Sequence, residues 1–461
     1  ILPSVTSVTP TTKYNQISVS VVGANGTNNI SKYYYSINGG TYTESANSSY
    51  IFTGLNEKTN YSIKVKVVDT LGKESNVYNL SVTTDAYVLP RVTNVSTSST
   101  ESSITINVSA SGGTGNVVKY YYSKDNGSNY VESTSSSYTF SNLTSGATFY
   151  VKVYVKDSNN RDSSVSATSI ATKNRTLVDY VKAQYTGTQG DNGIYYHNSE
   201  LTNGAGDNSY RYAGGNPNNY VCFGSDATPC PTDNLYSIIG VFGDQVKLIK
   251  SIFATKELLG EDGGYNNNYS YYWNNSTKKN TWSESLLNKI NLNTNYISYL
   301  KNLDKTNNKW EKMIADTTWK VGGNQFVSIA IKNSATAYQN EIVSPVTTNT
   351  TDNVTEYKAK IGLMYASDYG FAAAPSAWKT TLRNYTKSLP NWMCIAIDEW
   401  TITRVSNDQD SAFFLDKNGG IGNSYGYMKY SNKVRPVFYL TSSVTYASGE
   451  GTKSSPIRLS D

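Results

Sequence analysis

Tyr33-Tyr34-Tyr35-Ser36 returns as Tyr120-Tyr121-Tyr122-Ser123, 87 residues later, and this pair of segments decides how the front of the chain folds. The same offset carries Leu2-Pro3 onto Leu89-Pro90 and Ile17-Ser18-Val19 onto Ile104-Thr105-Ile106. After one inserted residue it becomes 88, relating Ser49-Tyr50-Ile51-Phe52 to Ser137-Tyr138-Thr139-Phe140, Leu55 to Leu143, and Ile63-Lys64-Val65 to Val151-Lys152-Val153. Two copies of one fold therefore occupy residues 1–86 and 87–173. Within them Tyr61, Ile63, Val65 and Val67 alternate with Ser62, Lys64 and Lys66, and Phe149, Val151, Val153 and Val155 alternate with Tyr150, Lys152 and Tyr154. A period of two places every second side chain on one face of a strand. Short alternating strands between Gly, Asn and Ser clusters predict two all-β, immunoglobulin-like sandwiches. In each tyrosine triplet, alternate rings are expected inside and the others on a sheet face.

Each copy resembles a fibronectin type III domain, with Leu55 and Tyr61 standing where that family keeps a leucine and its tyrosine corner. The second copy departs at Phe149, where the resemblance implies that the corner hydrogen bond is lost. No Arg-Gly-Asp tripeptide is present, so an integrin role is not carried over, and the resemblance implies spacer modules. Because Leu2-Pro3 repeats the Leu89-Pro90 boundary signal, residue 1 is expected to sit at a domain junction of a processed or trimmed chain.

The rest of the composition narrows the function classes. A chain of 461 residues is too long for one core and suits three domains. Charged residues make up 16%, against about 25% in an average soluble protein. The deficit is filled by small polar residues and 40 tyrosines, and with 13% aromatic residues the chain has enough to bury and fold. A net charge of +5 over this length makes no basic face, so no nucleic-acid partner is expected. The apolar runs are short, so no membrane insertion within this chain is expected. A single histidine, His197, excludes zinc sites of the two-histidine kind. Cys222 and Cys230 bracket a short loop containing Pro229 and predict a local disulfide, with two free thiols as the alternative. A disulfide implies an oxidising compartment. Cys394, in the apolar stretch Trp392-Met393-Cys394-Ile395-Ala396-Ile397, is expected to be a buried thiol.

From residue 174 the repeat ends and the pattern predicts an α+β domain over 174–461. Thr176-Leu177-Val178-Asp179-Tyr180-Val181 predicts a short helix. Residues 283–300 and 307–315 predict two more, with Leu286, Leu287, Ile290 and then Trp310, Met313, Ile314 at helical spacing. Residues 235–242 and 246–249 predict a hairpin turning at Gly243-Asp244. Further strands are expected at 326–331, 360–365, 395–403 and 434–440.

Glu399-Trp400-Thr401-Ile402-Thr403-Arg404, the polar stretch 405–433, and Val434-Arg435-Pro436-Val437-Phe438-Tyr439-Leu440 resemble the end of the C-type lectin fold in its formylglycine-generating-enzyme-like branch. There a Trp-containing strand and an Arg-containing strand flank a variable loop. Asn219-Tyr220-Val221, running into Leu235-Tyr236-Ser237-Ile238-Ile239-Gly240, is similar to surface proteins of Gram-positive gut bacteria. The Glu-Pro-Asn, Gln-Pro-Asp and Trp-Asn-Asp signatures of calcium-dependent sugar binding are missing, and Cys394 alone cannot supply the paired cysteines of the oxidase branch. Another branch displays diversified Asn, Asp, Ser and Tyr positions near its end, and residues 406–411 and 423–430 share that composition. Tyrosine gives large, rigid contact area at small entropic cost, and Asn and Asp give polar partners. Tyr425, Tyr427 and Tyr430 are the candidate anchors and Asn407, Asp408, Asp410 and Asn423 the candidate polar contacts. The alternative is that the rings fold back on their own domain and the carboxylates face water. The spacing of Asp408 and Asp410 lacks the EF-hand pattern, so no metal or other cofactor is expected.

No Gly-x-Ser-x-Gly elbow, phosphate loop or Cys–His pair points to an enzyme. A glycosidase needs only two carboxylates, for which Asp398, Glu399, Glu261 and Asp262 are the candidates. The sequence thus predicts a secreted or cell-surface bacterial adhesin-like protein whose partner is a host or bacterial surface glycan or protein. A structural subunit that packs on copies of itself, and a secreted glycan-active hydrolase, are the alternatives.

Overall fold

In the computed structural model the period-two segments of the first copy become seven strands: β1 (Ser4–Lys13), β2 (Gln16–Ala24), β3 (Ile30–Ile37), β4 (Thr43–Ser45), β5 (Ser49–Thr53), β6 (Asn60–Asp69) and β7 (Tyr78–Thr83). They form two antiparallel sheets, β1-β2-β5 and β4-β3-β6-β7. The second copy repeats this with β8 (Arg91–Ser99), β9 (Ile104–Ser111), β10 (Val117–Ser123), β11 (Val131–Ser133), β12 (Ser137–Phe140), β13 (Thr148–Asp157) and β14 (Ser166–Ala171), paired as β12-β9-β8 and β11-β10-β13-β14. Three strands facing four is the fibronectin type III arrangement. The structure describes residues 1–277, 279–325, 332–346, 354–422 and 428–460. It divides into two compact units, Ile1–Lys173 and Asn174–Asp461.

Alternation sorts the side chains as expected. Ile17, Val19, Ile63 and Val65 are sealed between the sheets of the first sandwich, and Ile104, Ile106, Val151 and Val153 fill the second. The last tyrosine of each triplet, Tyr35 or Tyr122, is fully buried, while Tyr34 and Tyr121 point outward and donate to Glu44 (2.5 Å) and Glu132 (2.6 Å). The Tyr61 hydroxyl accepts the Asn56 N–H at 2.8 Å, closing the tyrosine corner. Phe149 has no hydroxyl to do this; its ring packs against the second core and lies under the Lys124 ammonium at 5.8 Å.

The two sandwiches differ at one matched turn. Asp69 Oδ1 accepts the N–H groups of Leu71 and Lys73 at 2.9 Å, and Asp157 Oδ1 accepts those of Asn159 (2.9 Å) and Arg161 (3.0 Å). The other oxygen of Asp69 is met by Asn28 Nδ2 at 3.3 Å. In the second copy the residue matching Asn28 is Gly115, where a Cβ would press to 3.0 Å on the Asp157 carboxylate. The free oxygen there accepts the hydroxyl of Tyr87, from the segment joining the copies. Tyr87 also stands edge-on to Tyr14 of the first sandwich at 4.8 Å and lies under the Arg161 guanidinium at 4.8 Å. One tyrosine therefore pins the two sandwiches together.

The second unit holds all seven tryptophans, six of them buried. Its main sheet is antiparallel and runs Ile194–Tyr196, Tyr210–Tyr212, Leu235–Phe242, Gln245–Lys250, Val437–Tyr439, Ile361–Gly362, with Tyr220–Cys222 added on Leu235–Phe242. The expected hairpin forms, and Gly243 takes φ 64° at its turn. A second sheet contains Gly323–Asn324, Glu399–Val405, Ala412–Leu415 and Ile421–Gly422. The expected short helix is Leu177–Lys182, capped by Thr176, whose hydroxyl oxygen accepts the Asp179 N–H at 3.0 Å.

Several local expectations are corrected. The helix expected at 283–300 is instead a short turn Trp282–Glu284, a π-helix Leu287–Tyr296 and an α-helix Ile297–Leu303. Asparagine side chains explain the wide turns: Asn288 Nδ2 donates to Trp282 C=O, Asn291 Nδ2 to Leu259 C=O and Asn293 Nδ2 to Ile361 C=O. The second helix shrinks to Lys309–Lys312, entered through Asn308 at φ 52°. The strand expected from 395 begins only at Glu399, because Ala396 takes a left-handed φ of 54°. The strand expected at 434–440 covers Val437–Tyr439 and lies inside the main sheet rather than beside Glu399–Val405. Residues 326–331 lie outside the described residues. Cys394 is half-buried, not sealed. No helix among the described residues is long and apolar enough to cross a membrane.

Candidate functional site

The polar stretch 405–433 is not one loop. Phe413, Phe414 and Leu415 are buried, and with Ile421 they form a hairpin whose turn is Asp416-Lys417-Asn418-Gly419-Gly420. The Asp416 carboxylate accepts the N–H groups of Asn418 (2.7 Å) and Gly420 (3.3 Å). Gly419 sits at φ 100°, and a Cβ there would lie 2.5 Å from Lys387 N, so only glycine fits. Asp398 ties this turn to the neighbouring chain: its carboxylate accepts Lys417 N–H at 2.9 Å and its carbonyl accepts Lys433 N–H at 3.0 Å.

These contacts leave a cleft of about 540 Å³ lined by Arg383, Asp398, Phe414, Lys417, Tyr430 and Asn432, among others. A smaller cleft of about 310 Å³ adjoins it and shares Asp398, Lys417, Ser431 and Asn432, with Ala396 on its wall. Asn432 is 6% exposed, and its Nδ2 has no hydrogen-bond partner among the described residues. A buried donor without a partner is costly and calls for an explanation such as a bound group. Ala396, a non-glycine residue in left-handed backbone, is a second departure of the kind that clusters at binding sites. The lining offers cations, carboxylates, amides and two aromatic rings, a donor set suited to a polar ligand with an apolar face.

The sequence-derived residues separate around this hairpin. Tyr430 lines the cleft and is 37% exposed. Asn407 and Asp410 are exposed and Asp408 half-buried, but they lie at the Ala412 end of the hairpin strand, whereas the cleft opens at its Leu415 end. There Asp408 and Asp410 share the Ser411 hydroxyl at 3.1 and 3.2 Å, and partial burial together with Asp408 raises the Asp410 carboxyl above its ordinary range. Asn280 Nδ2 reaches the Asp408 carbonyl at 2.7 Å, which orders that loop from within. Asn407, Asp408 and Asp410 do not line this cleft with Tyr430, although the Asp410 carbonyl accepts the Met428 N–H at 2.8 Å, two residues before Tyr430. Asn423, Tyr425 and Tyr427 lie outside the described residues.

Of the four carboxylates weighed for glycoside hydrolysis, only Asp398 lines the cleft. Glu399 is buried against Arg435, with Oε1 accepting Nε–H at 2.7 Å, while Glu261 pairs with Lys256 at 2.5 Å and Asp262 accepts Asn295 Nδ2 at 2.6 Å. No group of three or more metal-ligating His, Cys, Asp or Glu side chains occurs among the described residues. His197 is sealed between Phe371 and Trp378, and burial holds its imidazole well below the usual range, with Arg211 adding to the effect. The disulfide Cys222–Cys230 is formed.

Arg383, Lys417 and Asn432 were not singled out from sequence. Asp416-Lys417-Asn418-Gly419-Gly420 between Phe413-Phe414-Leu415 and Ile421 is a hairpin signal that would have placed Lys417. Arg383 and Asn432 reach the cleft through the tertiary fold and carry no local signal.

No protein-family model matches the chain, and no curated protein matches it. Among solved structures it is similar to the central fibronectin-III array of RIM-binding protein, at 17% identity over 37% of this chain and 70% of that one, with a TM-score of 0.17. It is also similar to a two-domain fibronectin type III segment of chicken tenascin, at 16% identity over 37% of this chain and 100% of that one, with a TM-score of 0.19. The sandwich assignment stands on the strand order and core of each copy.

Proposed function

We propose that this chain is a secreted or cell-surface binding protein of the bacterial adhesin type. Its two sandwiches serve as spacers, and its C-terminal unit, read as lectin-like, takes a surface glycan or protein in the cleft beside Tyr430. The observation that carries the reading is the buried Asn432 Nδ2, without a hydrogen-bond partner among the described residues, at the junction of two adjoining clefts. Phe414 and Tyr430 give the cleft apolar surface for a sugar face or side chain, and Arg383, Asp398 and Lys417 give it polar specificity. The disulfide Cys222–Cys230 fits an oxidising location.

The test is a screen of the full chain on glycan and surface-protein arrays, followed by Tyr430→Ala and Asn432→Ala. A ligand acceptor that meets the Asn432 amide is worth about 1 to 3 kcal/mol, so its loss weakens binding by about 5- to 150-fold. The melting temperature should stay close to wild type for Tyr430→Ala. Undiminished binding by both variants would refute the cleft as the site.

A further inference from the structure

We propose that Lys247 and Asp368 of the C-terminal unit become joined by an intramolecular amide bond. Lys247 lies on the strand Gln245–Lys250 and Asp368 in the first turn of the helix Ala366–Ala372, 121 residues apart. Lys247 Nζ stands 2.5 Å from Asp368 Oδ2, with the two side chains 1% and 3% exposed. Every other lysine–carboxylate pair found among the described residues leaves both side chains at least 16% exposed. Four rings wall in the amine: Tyr365 at 4.6 Å, Tyr439 at 5.3 Å, Phe242 at 5.5 Å and Trp319 at 5.6 Å from Nζ to centroid.

This arrangement removes water from an amine and a carboxyl group held in contact. Charges so enclosed are expensive, and passing the ammonium proton to the carboxylate yields a neutral amine beside a neutral acid. Burial already holds the Lys247 amine below its usual range against the pull of Asp368. The nitrogen then adds to Asp368 Cγ, forming the C–N bond. The C–O bond to the protonated oxygen breaks, and that hydroxyl leaves with the second amine proton as one water. No oxidant, reductant or co-reactant is required. Oδ2, the oxygen nearest Lys247, takes the proton and leaves, held by the Tyr365 N–H at 3.0 Å, while charge builds on Oδ1, which the Arg211 guanidinium faces with Nη1 at 3.8 Å. Arg211 keeps its own counterion, Asp207, at 2.6 Å, so the charges of Arg211, Asp207, Lys247 and Asp368 sum to zero before and after the reaction. A cavity of about 40 Å³ bounded by Arg211, Lys247, Ser367 and Asp368 has room for the departing water.

Intact-mass spectrometry of the purified full chain tests this directly. The expected mass is that of the sequence less two hydrogens for the disulfide and less one further water. Trypsin should fail to cut after Lys247 and release a branched peptide joining residues 212–250 to 361–379. Lys247→Arg keeps the charge pair but removes the reactive amine, and should restore the missing water. A wild-type mass without the water loss, or free cleavage after Lys247, overturns the proposal, and this measurement decides even where the variant fails to fold.

Discussion

Replacing Glu341 with glutamine removes a pH-dependent term from the stability of the C-terminal unit. Glu341 is fully buried, and its carboxylate accepts from Thr403 Oγ1 at 2.8 Å, Ser367 N at 3.1 Å and Asn324 Nδ2 at 3.2 Å. Burial raises its pKa from 4.5 to about 7 against those hydrogen bonds. Below pH 4.5 both folded and unfolded chains hold the proton, and above pH 7 neither does. Between them the folded chain holds a proton that the unfolded chain has released, so stability falls as pH rises through this window. The slope is about 1.4 kcal/mol per pH unit, and the whole effect comes to about 3 kcal/mol. Urea unfolding followed by tryptophan fluorescence suits the measurement, since every tryptophan lies in this unit. Titrations common to both proteins cancel in the difference, so Glu341→Gln should gain about 3 kcal/mol relative to wild type between pH 4.5 and 7.5. A difference that stays flat, or that changes with the opposite sign, would refute the reasoning.

Arg435→Met strands Glu399 in the core without its counterion and should cost about 3 to 5 kcal/mol in chemical denaturation. Tyr87→Phe keeps the ring but removes the hydroxyl that meets Asp157. It should destabilise the first unit by about 1.5 to 3 kcal/mol, while a cost below experimental error would show that the pin has no energetic role. Serine at both Cys222 and Cys230 opens a small loop and should lower stability by about 2 to 3 kcal/mol, a loss that adding reductant to wild type should reproduce.

The sandwiches were legible because a strand with one buried face writes its burial into the sequence at every second residue, as Ile63, Val65 and Val67 do, and because the pattern is written twice. The disulfide was legible from its short spacing. The C-terminal unit was read less well for a physical reason: its central strand Glu399–Val405 is buried on both faces, polar Thr401 and Thr403 included, so alternation carries no signal there. Thr401 survives in the core by donating to Phe413 C=O at 2.7 Å, and Thr403 by donating to Glu341. The asparagines of 288–293 turn inward to serve main-chain carbonyls, which composition reads as loop. The cleft was glimpsed only through Tyr430 and Asp398, since Arg383 and Asn432 are brought to it from separate parts of the chain.

The Asn28 and Gly115 difference makes the two sandwiches non-interchangeable despite their common ancestry of pattern. The module with asparagine satisfies its turn by itself, whereas the module with glycine is finished only by a phenol arriving from its neighbour. Exchanging their order would leave that phenol facing a turn already occupied and the glycine-bearing turn short of a donor. The tandem therefore has a head and a tail, and stiffness at its joint is encoded in the presence or absence of one side chain.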